Sequence, residues 1–294
     1  MKGCDSGFGH LLAKRLDSKG FQVLAGCLQP DSKGVEDLRR WCSQRLRVIP
    51  LDVTQDECVK KAVELVKDYL RRDGTTLWCL VNNAGVFRGS STELARMEDF
   101  KLCMEVNAFG VIRVTKAFLP LLKKTKGRIV NMTSIFGRFS SRDVTPYCLS
   151  KFAAVSLNDS LRQEMKNWGV SVISVEPEVF RTPMLNDNAI NQQLAATFSE
   201  LPSSVEEEYG KPYFEGIHKG AVTFLKFASA KLEVVVNDLE SAVTLKYPNY
   251  HYKPRRNPLL RFGWFCFVMM PSYFRDIIIK GVFIVCREPK PKAA

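Results

Sequence analysis

Along the first 177 residues, short apolar runs alternate with longer segments whose apolar residues recur at helical spacing. The runs "FQVLAGC" (21–27), "LRVIPLDV" (46–53), "LWCLVNNAG" (77–85), "GRIVNMTS" (127–134) and "VSVISVEP" (170–177) have strand length. Between them, residues 32–43, 55–72, 97–123 and 146–168 read as amphipathic helices. Within each run, neighbouring residues are apolar without polar alternation. That is the pattern of a strand covered by helices on both faces, and it predicts a doubly wound, mostly parallel α/β sheet. Ligands of such sheets bind beyond the carboxyl ends of the strands. After residue 177 the alternation weakens. Helical texture covers 189–247, with a short strand near "YHYKP", and this region is the expected lid over a ligand site.

The last third adds a different pattern. "LLRFGWFCFVMMPSYFRDIIIKGVFIVC" (259–286) is strongly apolar but is interrupted by Pro271, Arg275, Asp276 and Lys280. No unbroken stretch reaches the ~18 residues a spanning helix needs. With "KPRRN" before it and "REPKPK" after it, the segment suits a membrane surface; a helix pair packed on the core is the alternative. The chain thus divides into a core over 1–183, a lid with the last strand over 184–258, and the apolar, basic segment over 259–294.

Charge and cysteine usage narrow the classes of partner. The net charge of +12 comes from dispersed basic residues without a nucleic-acid-binding motif, so nucleic acid is not an expected partner. The nine cysteines include no C-x-x-C pair, and several lie in apolar runs, as expected of reduced thiols inside a cell. The three histidines lack metal-ligand spacing, so no metal is expected. No apolar stretch of the secretory type precedes the first glycines.

Chemistry-bearing residues gather at the predicted strand ends. Gly3, Gly7 and Gly9 crowd the opening "MKGCDSGFGH", ahead of a helix, as in loops whose backbone N–H groups cradle a phosphate. Asp52 lies at the end of the second run, suitably sited to accept from an adenine amino group. "NNAG" (82–85), Ser134 and "PEVFRT" (177–182) close the next three. In "YCLSK", Tyr147 and Lys151 are four apart and share a helix face, with Pro146 in the first turn. A lysine ammonium one turn from a phenol favours the phenolate and brings the tyrosine toward a working general base. Asn107 is a polar residue inside a helix; alone it reads as a locally bonded side chain.

Taken in order, these motifs resemble the short-chain dehydrogenase/reductase family over about residues 3–183. Within it, "GCDSGFG", "SKGFQVLAGCL" and "EVNAFGVIRVTKAFLPLLKKTKGRIVNMTS" are similar to the retinol, 17β-hydroxysteroid and 3-hydroxybutyrate dehydrogenase branch. The resemblance implies a Rossmann-type fold and a nicotinamide-dependent alcohol dehydrogenase. It implies Tyr147 as general acid/base and Ser134 as the group holding the substrate oxygen. It implies Lys151 as modulator of Tyr147 and ligand of the nicotinamide ribose, and Asn107 as holder of a relay water. Gly3, Ser6, Gly7, Phe8, Gly9, Asp52, Asn83, Ala84, Gly85, Pro177 and Thr182, with Tyr147 and Lys151, would line the cofactor.

Leu28, Gln29 and Pro30 after the first run offer no cation for a 2′-phosphate, and Asp5 lies in the glycine loop, so NAD is expected over NADP. The apolar lid suggests a steroid or retinoid alcohol, with a small hydroxy acid as alternative. The resemblance also implies possible homo-oligomers through the 97–123 and 146–168 helices. It points to an intracellular, membrane-associated setting, in the endoplasmic reticulum or a mitochondrion. Three departures stand out: the family's first strand is missing, Lys2 takes the place of a threonine, and Glu178 that of a glycine. The missing strand and Glu178 favour a rival reading, a catalytically weak fold acting at a membrane surface or on a partner protein.

Overall fold

The computed structural model describes residues 1–226, 228–255 and 257–285. Among the described residues six parallel strands form the centre: β1 (Val23–Cys27), β2 (Leu46–Pro50), β3 (Cys79–Asn82), β4 (Arg128–Met132), β5 (Ser171–Val175) and β6 (His251–Tyr252). β1 pairs with β2, while β3, β4, β5 and β6 pair in that order. Between the two groups lies a slot one strand wide, occupied at its near end by the first residues of the chain. Lys2 bridges it, in parallel register to Gly26 on one side and to Asn82 on the other. Its backbone N–H donates to Val81 O at 3.1 Å, and Gly26 N–H donates to Met1 O at 2.6 Å.

Among the described residues the chain has twelve α-helices: α1 (Gly7–Ser18), α2 (Lys33–Trp41), α3 (Asp56–Arg72), α4 (Met97–Met104), α5 (Gly110–Thr125), α6 (Thr145–Met165), α7 (Asp187–Ser199), α8 (Ser203–Tyr209), α9 (Lys211–Lys226), α10 (Glu233–Thr244), α11 (Pro258–Met269) and α12 (Ser272–Val285). Successive strand residues face opposite sides. Val81, Val130 and Ile173 pack with Leu12 and Leu16 of α1 and with Val236 and Leu239 of α10. Their neighbours Leu80, Ile129 and Val172 pack with Val63 of α3 and with Val114 and Phe118 of α5. Both faces are therefore core, which is why the strand runs show no polar alternation. Each such side chain, fully buried, contributes roughly 1.5–3 kcal/mol.

Several elements are shorter than their apolar runs. β3 stops at Asn82, and Asn83 turns its amide onto Gly3 O at 2.9 Å. β2 stops at Pro50, and Asp52 accepts from both N–H and Oγ1 of Thr54 just ahead of α3. The helix expected over 97–123 is interrupted by a π-turn, Glu105–Phe109, with Asn107 at its centre. A π-turn adds one residue to a helical turn and shifts the register of the helix beyond it.

The region expected as a lid folds as α7 to α9, with Ile190, Leu194 and Leu225 in its own small core. It reaches the 88–96 segment through Gln193 Nε2 donating to Gly89 O at 2.6 Å and an Arg96–Glu200 ion pair at 2.7 Å. Among the described residues no helix is long and apolar enough to cross a membrane. α11 and α12 are two-faced. Trp264, Phe267 and Ile279 pack against the cluster around Phe139, whereas Leu259, Phe262, Phe265, Met269 and Phe274 are exposed. One face of this segment thus packs on the core, and the other is exposed. Cys286 and the basic "REPKPK" stretch lie outside the described residues.

Candidate active site

The glycine turn is built by exclusion of side chains. Gly3 has φ +71°, and a Cβ there would lie 2.8 Å from Ala84 Cα. A Cβ on Gly9 would lie 2.2 Å from Gly3 O and 2.5 Å from Asn83 Nδ2. Gly7 has φ +62° and faces Thr182, whose Cβ is 4.0 Å from the position a Gly7 Cβ would take. The turn thus brings Asn83, Ala84 and Thr182 around the start of α1. Ser6 is the N-cap residue of α1, and Phe8 meets Phe180 edge to face at 5.9 Å. No acidic residue lies in the first turn of α1, whose leading N–H groups have no intrahelical acceptor. Such an end attracts an anion.

The fold also brings Asp5 to the end of β1. Its carboxylate accepts from Leu28 N–H at 3.1 Å and Gln29 N–H at 3.0 Å. That strand end has no acidic group of its own in the sequence; the glycine turn supplies one.

On the other side of the slot, Ser134 lies just beyond β4, and Tyr147 and Lys151 lie on the buried face of α6. Pro146 sits in the first turn of α6, where its missing N–H costs nothing. The Ser134 hydroxyl hydrogen-bonds the Tyr147 phenol. Lys151 Nζ donates to Met132 O at 3.1 Å and stands 5.5 Å from the Tyr147 ring centroid. Pro177 O accepts from Ile135 N–H at 3.0 Å, tying the end of β5 to the Ser134 turn. Ser134, Tyr147, Lys151, Pro177 and Asn107 therefore converge, while Asp52 stands apart at the far edge beside Thr54.

Electrostatics differ from the expectation drawn from Y-x-x-x-K alone. Burial pushes the Tyr147 phenol well above its ordinary value, and the Ser134 hydrogen bond opposes that rise. Burial also lowers Lys151, to about 8. Both groups are driven toward their neutral forms because a low-dielectric site penalises charge. In this state Tyr147 is a proton donor.

Asn107 uses its side chain fully. Its Oδ1 accepts from Val86 N–H at 2.8 Å, and its Nδ2 donates to Val86 O and Ser150 Oγ, both at 2.9 Å. A Cβ on Gly85 would lie 3.2 Å from Asn107 Oδ1 and 3.8 Å from Lys151 Nζ, so this glycine opens the space between them. Glu178 is buried, with its N–H toward Pro254 O at 3.5 Å.

Sequence reasoning passed over a buried amide chain beneath the site. Asn82 Nδ2 donates to Thr115 Oγ1 at 3.0 Å and to Asn131 Oδ1 at 2.8 Å, and Asn131 Nδ2 donates to Asn158 Oδ1 at 3.0 Å. Its signal was a polar residue inside the apolar runs "LVNN" and "IVNM". Also missed were the aromatic walls. Phe87 lies 5.0 Å from the Tyr147 ring and Phe136 6.2 Å, while Phe139 stacks on Trp264 of α11 at 5.3 Å.

Comparison with known proteins fits this geometry. The profile of the short chain dehydrogenase family matches residues 1–193. The chain is 39% identical over 286 residues to the rat protein "D-beta-hydroxybutyrate dehydrogenase, mitochondrial", covering 96% of this chain and 82% of the relative. It is 37% identical over 294 residues to human "17-beta-hydroxysteroid dehydrogenase type 6", covering 99% and 89%. It is 41% identical over 255 residues to mouse "Retinol dehydrogenase 5", covering 86% and 78%. A short chain dehydrogenase/reductase from Burkholderia phymatum, solved in complex with NAD, shares the fold with TM-score 0.71 over 90% of each chain at 20% identity. The chain therefore belongs to the short chain dehydrogenase family, as an oxidoreductase of its hydroxybutyrate, 17β-hydroxysteroid and retinol dehydrogenase branch.

Proposed function

We propose that the protein interconverts a lipophilic secondary or allylic primary alcohol, of the steroid or retinoid class, with its carbonyl, using NAD. The observation that carries the substrate class is the wall around Tyr147. Phe87, Phe136, Phe139, Val144, Val179, Trp264 and Phe267 form one apolar cluster with it. Such a lining gains from burying hydrocarbon rings or a polyene and offers little to a small carboxylate.

The residues present fit a dinucleotide. Gly3 and Gly9 let the turn pack backbone to backbone against Ala84 and α1, and Gly7, at φ +62°, leaves space beside the N-terminus of α1. Ser6, Gly7, Phe8 and Thr182 would hold the phosphates, Asn83, Ala84 and Gly85 the middle, Asp52 the adenine, and Pro177, Tyr147 and Lys151 the nicotinamide end. The Asp5 carboxylate at the end of β1 disfavours a 2′-phosphate, hence NAD over NADP.

When bound, the nicotinamide supplies the hydride acceptor or donor. Ser134 Oγ holds the substrate oxygen beside the Tyr147 phenol. Tyr147 gives its proton to that oxygen during carbonyl reduction and takes it back during alcohol oxidation. Lys151 and a water in the space opened by Gly85 refill the phenol, and Asn107 fixes α6 against Val86 through Ser150.

The exposed face of α11 and α12 supports a setting on an intracellular membrane surface, of the endoplasmic reticulum or a mitochondrion, where lipophilic substrate concentrates. A second reading, 3-hydroxybutyrate oxidation, is favoured by the likeness to the rat hydroxybutyrate enzyme.

The test is a panel assay of NADH formation with a 17β-hydroxysteroid, vesicle-borne retinol and 3-hydroxybutyrate. We expect the highest kcat/KM for one of the lipophilic alcohols. A preference for 3-hydroxybutyrate would overturn the substrate class. Failure of NADH fluorescence to change on titration would overturn the enzyme role altogether.

A further inference from the structure

An ion pair behind the site, with a buried carboxylate and a partly exposed guanidinium, takes no part in the steps proposed for Ser134 and Tyr147. Arg138 comes directly after the 3-10 turn Ile135–Gly137 that begins at Ser134. Its guanidinium meets the Glu176 carboxylate as a fork, Nη2 donating to Oε1 at 2.6 Å and Nε to Oε2 at 3.1 Å. Glu176 is fully buried at the end of β5, immediately before Pro177. Its Oε1 also accepts from Ser174 Oγ at 2.8 Å, with His251 Nδ1 3.4 Å away. Its N–H donates to Tyr252 O at 2.8 Å, and Arg255 Nη1 donates to its carbonyl at 2.7 Å. Arg138 Nη1 lies 3.6 Å from Asp159, on the same helix as Tyr147 and Lys151. Three segments, carrying Ser134, Tyr147 and Pro177, thus converge on one guanidinium.

A charge pair in this position is poorly explained by stability. Burying its carboxylate costs desolvation that an apolar residue of the same volume would avoid. What the fork provides is orientation, because two parallel hydrogen bonds fix the plane of a guanidinium and the chain that carries it. Burial would raise the Glu176 carboxyl, but hydrogen bonds from His251 and Arg138 outweigh it and hold it at about 2. The carboxylate therefore stays ionised around neutral pH, and the fork persists there.

We propose that Arg138 and Glu176 are positioning residues for the reaction. Their fork sets the turn that presents the Ser134 hydroxyl to the Tyr147 phenol, and Asp159 registers that turn against α6. The inference rests on the roles proposed above for Ser134 and Tyr147. It acts through geometry alone: neither residue touches substrate or gives up a proton.

The test uses the full chain with Arg138→Lys, which keeps the charge and loses the fork, Glu176→Gln, and Arg138→Ala. Two readouts are taken, steady-state kinetics and amide hydrogen exchange. In Arg138→Lys we expect kcat to fall roughly 10- to 100-fold, the loss a misplacement near 1 Å produces, with KM for the alcohol and NADH binding unchanged. Exchange should quicken at Ile135 and Phe136 and stay slow in β3 and β4. Glu176→Gln should show the same pattern. Free guanidinium should restore part of the turnover of Arg138→Ala, and methylammonium should not.

Unchanged kcat and unchanged exchange at the Ser134 turn would overturn the proposal. So would a fall in melting temperature with faster exchange through the whole sheet, which would make the pair merely structural. If the unaltered chain turns over no alcohol, the enzymatic reading fails by itself, and the exchange at Ile135 and Phe136 alone decides whether the fork sets the turn.

Discussion

The two halves of the sheet are held in different ways. From β3 to β6 the backbone pairing is continuous, and the Asn82–Asn131–Asn158 chain ties it to the helix of Tyr147 and Lys151. β1 and β2, which with the glycine turn form the proposed dinucleotide side, are bridged to that half at Lys2. Their further support comes from point contacts such as Asn83 on Gly3 O and from helix packing. The difference separates two requirements. The groups proposed to handle the proton stand on a self-supporting layer, whereas the proposed phosphate turn depends on a few close backbone approaches across the slot. Damage to each half should therefore read out differently.

The largest effect should come from the catalytic half. Tyr147→Phe removes the proton donor and keeps the ring that Phe87 and Phe136 pack against. Turnover should fall roughly 10²- to 10⁴-fold, the range of a lost general acid/base, while NADH binding measured by fluorescence stays unchanged. Retained turnover would remove Tyr147 from its role.

The converse pattern is expected from Gly9→Ala. Its methyl group would collide with Gly3 O, a backbone atom, and with the Asn83 amide that this oxygen holds. Overpacking of this kind costs about 1–3 kcal/mol, so NADH affinity should weaken by roughly 5- to 150-fold. The same titration measures it. Unaltered affinity would show that the turn is not the phosphate cradle.

A third and smaller effect concerns the slot itself. Lys2 is 1% exposed, its Nζ finds no hydrogen-bond partner among the described residues, and burial, with a lesser repulsion from Lys151 and Arg113, lowers it to about 7. Below that value both the folded and unfolded chains carry the proton, and the folded state bears the full cost of a buried charge. As pH rises toward the unfolded value of 10.5, the unfolded chain binds more protons, so the cost fades and stability rises. Lys2→Met removes the group. Relative to that variant, the unaltered chain should gain about 2 kcal/mol between about pH 7 and about pH 9, read from denaturant midpoints. Parallel pH profiles would show that Lys2 is not the strained link between the halves.

Much of the catalytic half is legible in the sequence. Tyr147 and Lys151 share a face because residues four apart do so on any helix, and Ser134 closes a run whose unbroken apolar pattern marks a buried strand. The dinucleotide half is only half legible. The glycines announce a turn, but the acidic group at the end of β1 is invisible, because Asp5 and Leu28 are joined only when the strand lies beside the turn. The electrostatics of Tyr147 escape for a similar reason. Sequence spacing reports the lysine one turn away but not the burial that outweighs it. Phe139 and Trp264, far apart in the chain, meet only because the C-terminal helices fold back over the Ser134 turn.

By itself the sequence determined the strands, the helices, their order and the residues able to do chemistry. Those depend on periodicity and local backbone preference, which act over a few residues. Only the tertiary structure decided how deeply each group is buried, and which cation meets which carboxylate. It also decided that one lysine bridges the two halves of the sheet. These outcomes depend on crossovers that bring distant segments within hydrogen-bond reach, and on a low dielectric that exists only once the core has closed.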